Sequence, residues 1–108
     1  MSKQIYEMHA GICYIFSNPK RLEIIDLLRD GEKTVNELSS LMEIPQANLS
    51  QHLSLMRQSG ILDARRDGVN IYYSIANPKV IKAFEIMKDV LLEQLSRNER
   101  LIKKIKGA

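Results

Sequence analysis

Gln46, Asn48, Ser50 and Gln51 lie within six residues and share one chemistry: short, uncharged side chains that donate and accept hydrogen bonds. Presented together on one helix, such groups suit the base-pair edges of a DNA major groove, whose donor and acceptor pattern identifies each pair. His52 follows at the margin of that face, where a phosphate contact and a capping or packing role are equally open. Arg65 and Arg66 stand side by side next to Asp67-Gly68. That placement suits contact with a phosphate backbone, against the plainer reading of edge-strand charges that discourage aggregation. His9 and Cys13 are four residues apart and so share a helix face. Paired with their copies in a second chain they would make a Cys2His2 zinc tetrahedron, or Cys13 alone a redox-sensitive disulfide between chains. The plainer reading is a small apolar cysteine beside a solvated histidine. No resident cofactor is expected. Enzymatic chemistry is not expected either: there is no Gly-rich phosphate loop, no HExxH and no nucleophile–histidine–carboxylate set. Glu85 and Asp89 share a helix face without an acid or base partner.

The elements that must hold these residues are legible as periodicities. Leu38, Leu41 and Met42 define one face of a short helix, and Leu49, Leu53 and Met56 one face of the next. Glu43, Ile44 and Pro45 form the joint, with Pro45 suited to the first helical position, where a missing N–H costs nothing. The spacing predicts a helix-turn-helix over 34–60, with Gln46 to Ser59 as its second helix. Thr34 and Glu37 are spaced as a capping box that starts the first of the two, and Gly60 stands where a C-terminal glycine is expected. Upstream, Ile5, Met8, Ile12, Ile15 and Phe16 mark an amphipathic helix over 2–17. Asn18-Pro19 then opens a second helix carrying Leu22, Ile25 and Leu28, which ends at Asp30-Gly31. After Gly60 the period drops to two. Leu62, Ala64 and Arg66 form one face, and Val69, Ile71, Tyr73 and Ile75 continue it beyond an Asp67-Gly68 hairpin signal. Tyr73 belongs to the core side and Tyr72 to the half-exposed side of this wing, residues 61–76. Asn77-Pro78 caps a closing helix over 78–104 whose Val80, Phe84, Met87, Leu91 and Leu95 make a continuous stripe. The expected fold is mainly α with a small β-hairpin (α+β), a winged helix-turn-helix filling residues 1–108 as a single domain.

With 108 residues the chain has room for one core. The first and last helices carry more large apolar surface than one such core covers, so a homodimer through those two helices is expected. Two-fold pairing would set the two reading helices about one DNA turn, ~34 Å, apart. No apolar run approaches a membrane span, and residues 1–10 are too polar for a secretory signal, so a cytoplasmic protein is expected. One cysteine excludes an internal disulfide. The net charge is +3, but Arg97, Arg100, Lys103, Lys104 and Lys106 against Glu99 account for more than all of it. That basic end complements a helix C-terminal dipole. Charge therefore argues little for DNA, and the pattern must carry the case.

The segments NPKRLEIIDLL (18–28), NLSQHLSLMRQSGIL (48–62) and ARRDGVNIYYSI (64–75) resemble the ArsR/SmtB family of winged-helix repressors. The resemblance spans almost the whole chain, and the S-x-H-L run with its following L-x-x-x-G-I-L is the more specific part. It implies a homodimer on double-stranded DNA at a pseudo-palindromic operator, repressing transcription until an effector acts. Mapped onto matching positions, base contacts fall on Gln46, Asn48, Ser50 and Gln51 and backbone contacts on Arg65 and Arg66. Pro45 departs from the capping serine common in the family. The family's metal sites do not map. Thr34 and Asn36 stand where arsenic sensors carry thiolates, and soft metals need sulfur. Asn77, Lys79, Val90 and Glu93 stand where zinc sensors place carboxylates and histidines, and only Glu93 can coordinate. A winged helix can instead be a protein-interaction module that never touches DNA, a rival that the scarcity of positive charge between Thr34 and Ala76 favours mildly.

Overall fold

Two Asn-Pro pairs punctuate the helical architecture. The computed structural model describes residues 2–107, with the backbone alone for 99–102. Helix α1 (Lys3–Ile15) is followed by Asn18, whose Oδ1 accepts from the Lys20 N–H at 2.9 Å and the Arg21 N–H at 3.2 Å to start α2 (Pro19–Leu28). Asn77 repeats the device for α5 (Pro78–Ser96), accepting from the Lys79 N–H at 2.9 Å. In both cases proline fills the first helical position, where no donor is missed.

Between them lie β1 (Lys33–Thr34), α3 (Val35–Met42), α4 (Gln46–Gln58), β2 (Leu62–Asp67) and β3 (Asn70–Ile75). The sheet is antiparallel with order β1-β3-β2, so the expected hairpin gains a short third strand. Lys33 pairs with Tyr73 and Thr34 with Tyr72, while Arg65 faces Tyr72 and Ala64 faces Tyr73 from the other side. Two residues are too few for a readable alternation, which is why β1 leaves no periodic trace in the sequence.

Ile24, Ile25, Leu38, Leu49, Leu53 and Met56 are fully buried and join Ile15, Leu28, Leu62 and Tyr73 in one core. Each such side chain contributes roughly 1.5–3 kcal/mol by leaving water. Leu41, expected with Leu38 and Met42 on the inner face, is instead 56 % exposed. Val69, expected on the core side of the wing, is 98 % exposed at its tip. The reason is a one-residue shift of the turn. Asp67 pairs with Asn70 as the last rung of the ladder, leaving Gly68 and Val69 as the two loop residues. Gly68 has φ +64° and Val69 does not share the positive sign, the pattern of a II′ rather than a I′ turn.

Helix ends also move, beginning with α1, which runs Lys3–Ile15 and not over 2–17. Helix α2 stops at Leu28, two residues before Asp30-Gly31, with the Gly31 N–H bonded to Leu28 O at 3.2 Å. Pro45 is the N-cap of α4, not its first residue, and offers no side-chain cap. The closing helix does not run unbroken to 104; it ends at Ser96, and α6 (Glu99–Lys106) follows. Ser96 Oγ donates to Glu93 O at 2.8 Å and the Asn98 N–H to Leu95 O at 3.0 Å. The Asn98 bond spans three residues, the tightened closure with which helices commonly end. Arg100, counted in the basic end, has its side chain outside the described residues.

Val80 and Phe84 of α5 pack on the core, and Glu85 pairs with Arg29, the C-cap of α2. Beyond them the helix keeps a large apolar face in water: Met87 is 63 % and Leu91 51 % exposed, with Ile86, Val90 and Leu92 also open. Ile5, Met8 and Ile12 do the same on α1. Phe16, Leu22, Phe84, Met87, Lys88 and Leu91 enclose a groove of about 420 Å³ between α5 and the corner where α1 gives way to α2.

Candidate nucleic-acid interface

Short-range bonds fix both ends of α3 and its joint with α4. Thr34 Oγ1 accepts from the Glu37 N–H and Glu37 Oε1 from the Thr34 N–H, both at 3.1 Å, completing the capping box that fixes the start of α3. At the other end Glu43 takes a left-handed conformation (φ +55°, ψ +44°). Ser39 then ties both faces of the turn, its Oγ donating to Ile44 O at 2.6 Å and its carbonyl accepting from the Ile44 N–H at 3.3 Å. Leu49, Leu53 and Met56 bury one side of α4 completely. With its inner side so fixed, Gln46, Asn48, Ser50 and Gln51 are all exposed on the outer side, joined by Ala47 and Ser54. Gln46 Nε2 donates to Asn36 Oδ1, linking the tip of α4 to α3.

The two margins of this polar face differ. His52 follows Asn48 by one turn and sits half-buried against α2. Its Nδ1 lies 3.4 Å from Nη1 of Arg21. Burial first, and then the positive charges of Arg21 and Lys20, hold the imidazole below the usual histidine range. On the opposite margin Ser50, Ser54 and Arg57 follow one another at helical steps. Arg57 and Arg66 line a recess of about 250 Å³ floored by Ala64 and Ile71, at the seam between α4 and β2. Neither guanidinium has a carboxylate partner among the described residues. Arg57 was missed by sequence reasoning. Its signal is its seven-residue spacing from Ser50, which keeps it on the outer face.

Arg65 is placed differently from its neighbour. Its Nε lies 3.2 Å from Glu32 Oε2, its Nη2 contacts the other oxygen of the same carboxylate, and Nη1 is 3.8 Å from Asp67. The guanidinium also covers the Tyr72 ring at 4.6 Å. Bonding to Arg65 lowers the Glu32 carboxyl below its ordinary range, and the same bond raises Arg65. The expected arginine pair thus divides into one engaged side chain and one free of carboxylates.

His9 and Cys13 are both exposed on α1, as their spacing requires. Among the described residues no three histidine, cysteine or acidic side chains gather as metal ligands within the chain. At the last helix Asn77 is engaged as the α5 cap, so its side chain already serves the fold. Among the described residues, no helix is long and apolar enough to cross a membrane.

Comparison with known proteins agrees with this geometry. Residues 18–64 match the model of the bacterial regulatory protein arsR family, which covers α2 through the start of β2. The chain is 35 % identical over 96 residues to the HTH-type transcriptional regulator Rv0081 of Mycobacterium tuberculosis, spanning 88 % of this chain and 84 % of that protein. The crystal structure of Rv0081 superposes with a TM-score of 0.82, covering 90 % of this chain and 98 % of that one. The nodulation protein NolR of Rhizobium meliloti is 38 % identical over 84 residues, 78 % of this chain and 69 % of that protein. The homodimeric winged helix-turn-helix DNA-binding domain of Mb0332 from Mycobacterium bovis is 29 % identical with a TM-score of 0.80, covering 86 % of each chain. Rv0081 is named as an HTH-type transcriptional regulator and Mb0332 as a possible ArsR-family transcriptional regulator. The chain belongs to the arsR family of bacterial regulatory proteins.

Proposed function

We propose that this chain is a homodimeric, sequence-specific DNA-binding repressor of the ArsR type that works in the cytoplasm. The observation that carries the reading is the fully buried Leu49–Leu53–Met56 side of α4 set against its exposed Gln46, Asn48, Ser50 and Gln51. Those four side chains read base edges in a major groove, and the wing lies over the adjoining backbone. Arg57 and Arg66 line the α4–β2 recess, where the sugar–phosphate strand between the two grooves passes, and contact its phosphates. Two unpaired guanidiniums at one recess repel each other, and a phosphate between them relieves that repulsion while accepting from both.

The dimer forms through α1 and α5. A second copy covers the Met87 and Leu91 side of α5 and the Ile5, Met8 and Ile12 side of α1, surfaces too apolar to remain in water. The operator is pseudo-palindromic, with half-sites about one turn, ~34 Å, apart. The usual metal sites of the family have no matching ligand set here, and Cys13 and His9 are left as ordinary residues of the dimer face.

Binding to random duplex DNA across a salt series tests the reading. The log of affinity should fall with the log of salt at about −0.9 per phosphate contacted. A protein-interaction module would show no such slope, and absence of DNA binding by the dimer at low salt would overturn the proposal.

A further inference from the structure

Arg21 is 5 % exposed, an unusual place for a charge that is rarely buried without partners. Its partners come from two helices. Nε donates to Ile15 O at 3.0 Å, and Nη2 donates at 3.1 Å to Tyr14 O, which also accepts from the N–H and hydroxyl of Ser17. The Tyr14 ring stacks 5.0 Å from the guanidinium carbon. The remaining nitrogen, Nη1, is directed at Nδ1 of His52 on α4, 3.4 Å away.

That last contact has a chemical consequence. A guanidinium has donors only and does not give up its proton. The contact is a hydrogen bond only when Nδ1 carries the lone pair, which puts the single ring proton on Nε2 and leaves the imidazole neutral. With Nδ1 tied to Arg21, Nε2 has no partner within the described residues and is not buried, so its N–H is open to a ligand one turn along from exposed Asn48. We propose that Arg21 is a positioning residue for DNA recognition, fixing the tautomer and orientation of His52 so that Nε2–H donates to a backbone phosphate beside the base-reading side chains. The inference rests on the DNA-binding reading above. Because the ring is neutral, this contact adds affinity without displacing a counterion. Arg21 therefore links the end of α1, on the side of the dimer helices, to the margin of the reading helix through one guanidinium.

The test has two arms. In the first, nitrogen-15 shifts of the His52 ring are recorded in the DNA-free dimer near pH 7.5, with His9→Gln removing the other histidine signal. The wild type should show the Nε2–H tautomer, and Arg21→Lys should mix the tautomers. A wild type that is already mixed or Nδ1–H, or an unchanged ring in a folded Arg21→Lys, overturns the proposal without any use of DNA. In the second arm, duplex binding is measured across salt. His52→Ala should weaken binding to all sequences by on the order of tenfold, the scale of a hydrogen bond to a charged acceptor, with an unchanged salt slope. His52→Gln, which keeps a donor near the Nε2 position, should retain most of the affinity and make Arg21→Lys nearly silent. If the wild type binds DNA and His52→Ala binds as well, the inference fails while the DNA reading stands. If the wild type binds no DNA, both fail. Should Arg21→Lys not fold, the wild-type tautomer and the two His52 variants decide the matter alone.

Discussion

Arg65 reaches back from the wing to Glu32, with Nε 3.2 Å from Oε2, while Tyr72 supports the plane of the guanidinium at 4.6 Å. The wing arginine that the sequence pairs with Arg66 for phosphate contact is thus already satisfied, and by a carboxylate that would itself repel DNA. Glu32→Gln should release it. Duplex binding is expected to tighten, with a salt slope steeper by about 0.9, and the exposed pair should contribute little to folding. Unchanged affinity and slope would mean that Arg65 belongs to the fold and not to the interface.

Arg57 and Arg66 should behave as backbone contacts. Arg57→Ala and Arg66→Ala are each expected to weaken binding to operator and random duplex alike, reducing the salt slope by about 0.9. Competition between specific and scrambled duplexes checks this, and a loss confined to one sequence would assign the side chain to base reading instead.

Gln51→Ala should do the opposite. It is expected to relax preference at one position of each half-site, removing roughly 1–3 kcal/mol of discrimination, with the salt slope kept. Binding to a panel of single-base operator variants reads this directly. Equal losses across the whole panel would contradict it.

The dimer can be tested away from the DNA. Leu91→Glu places a charge in the exposed α5 face without touching the core. It should yield a folded monomer by light scattering, remove the dependence of the melting temperature on protein concentration, and strip operator affinity by losing the second half-site. A variant that remains dimeric would exclude the centre of α5 from the interface.

Acid should reveal the His52 environment. Burial, then Arg21 and Lys20 of α2, hold its pKa below the ordinary value of 6.5, so folding favours the neutral ring. The protein is fully stabilised by this site above 6.5 and loses that contribution as the pH falls through 6.5 toward the lower folded value. The melting temperature should therefore drop more between pH 7 and pH 5 in the wild type than in His52→Gln, about the ordinary histidine range. Parallel curves would show that the ring is solvated in the folded protein.

Local chemistry was the legible part of the chain. Asn18, Thr34, Glu37, Gly60 and Asn77 act within a few residues of themselves, so their caps could be read directly. The outward set on α4 was equally readable, because Leu49, Leu53 and Met56 leave it only one direction to face. What escaped depends on distant partners or on very short elements. Glu32 and Arg65 are 33 positions apart, and nothing near either residue announces the other. Arg21 looks like a solvated charge on a helix opening, and only the approach of α1 and α4 makes it a buried junction. Leu41 and Val69 are apolar by type yet lie at the surface, since the geometry of α3 and the shifted turn decide where they point. The break after Ser96 has only weak signals, a serine and an asparagine in an otherwise helical run.

Thr34 belongs to two elements at once: it caps α3 through Glu37 and pairs with Tyr72 as the last residue of β1. Tyr72 in turn faces Arg65 across the ladder. The hairpin cannot swing relative to the helix pair without tearing this junction and the core contacts of Leu62 and Tyr73, so each subunit should meet its half-site as one stiff jaw. In the proposed dimer, adjustment to operators of different length would then come from rotation of one jaw against the other about the two-fold axis.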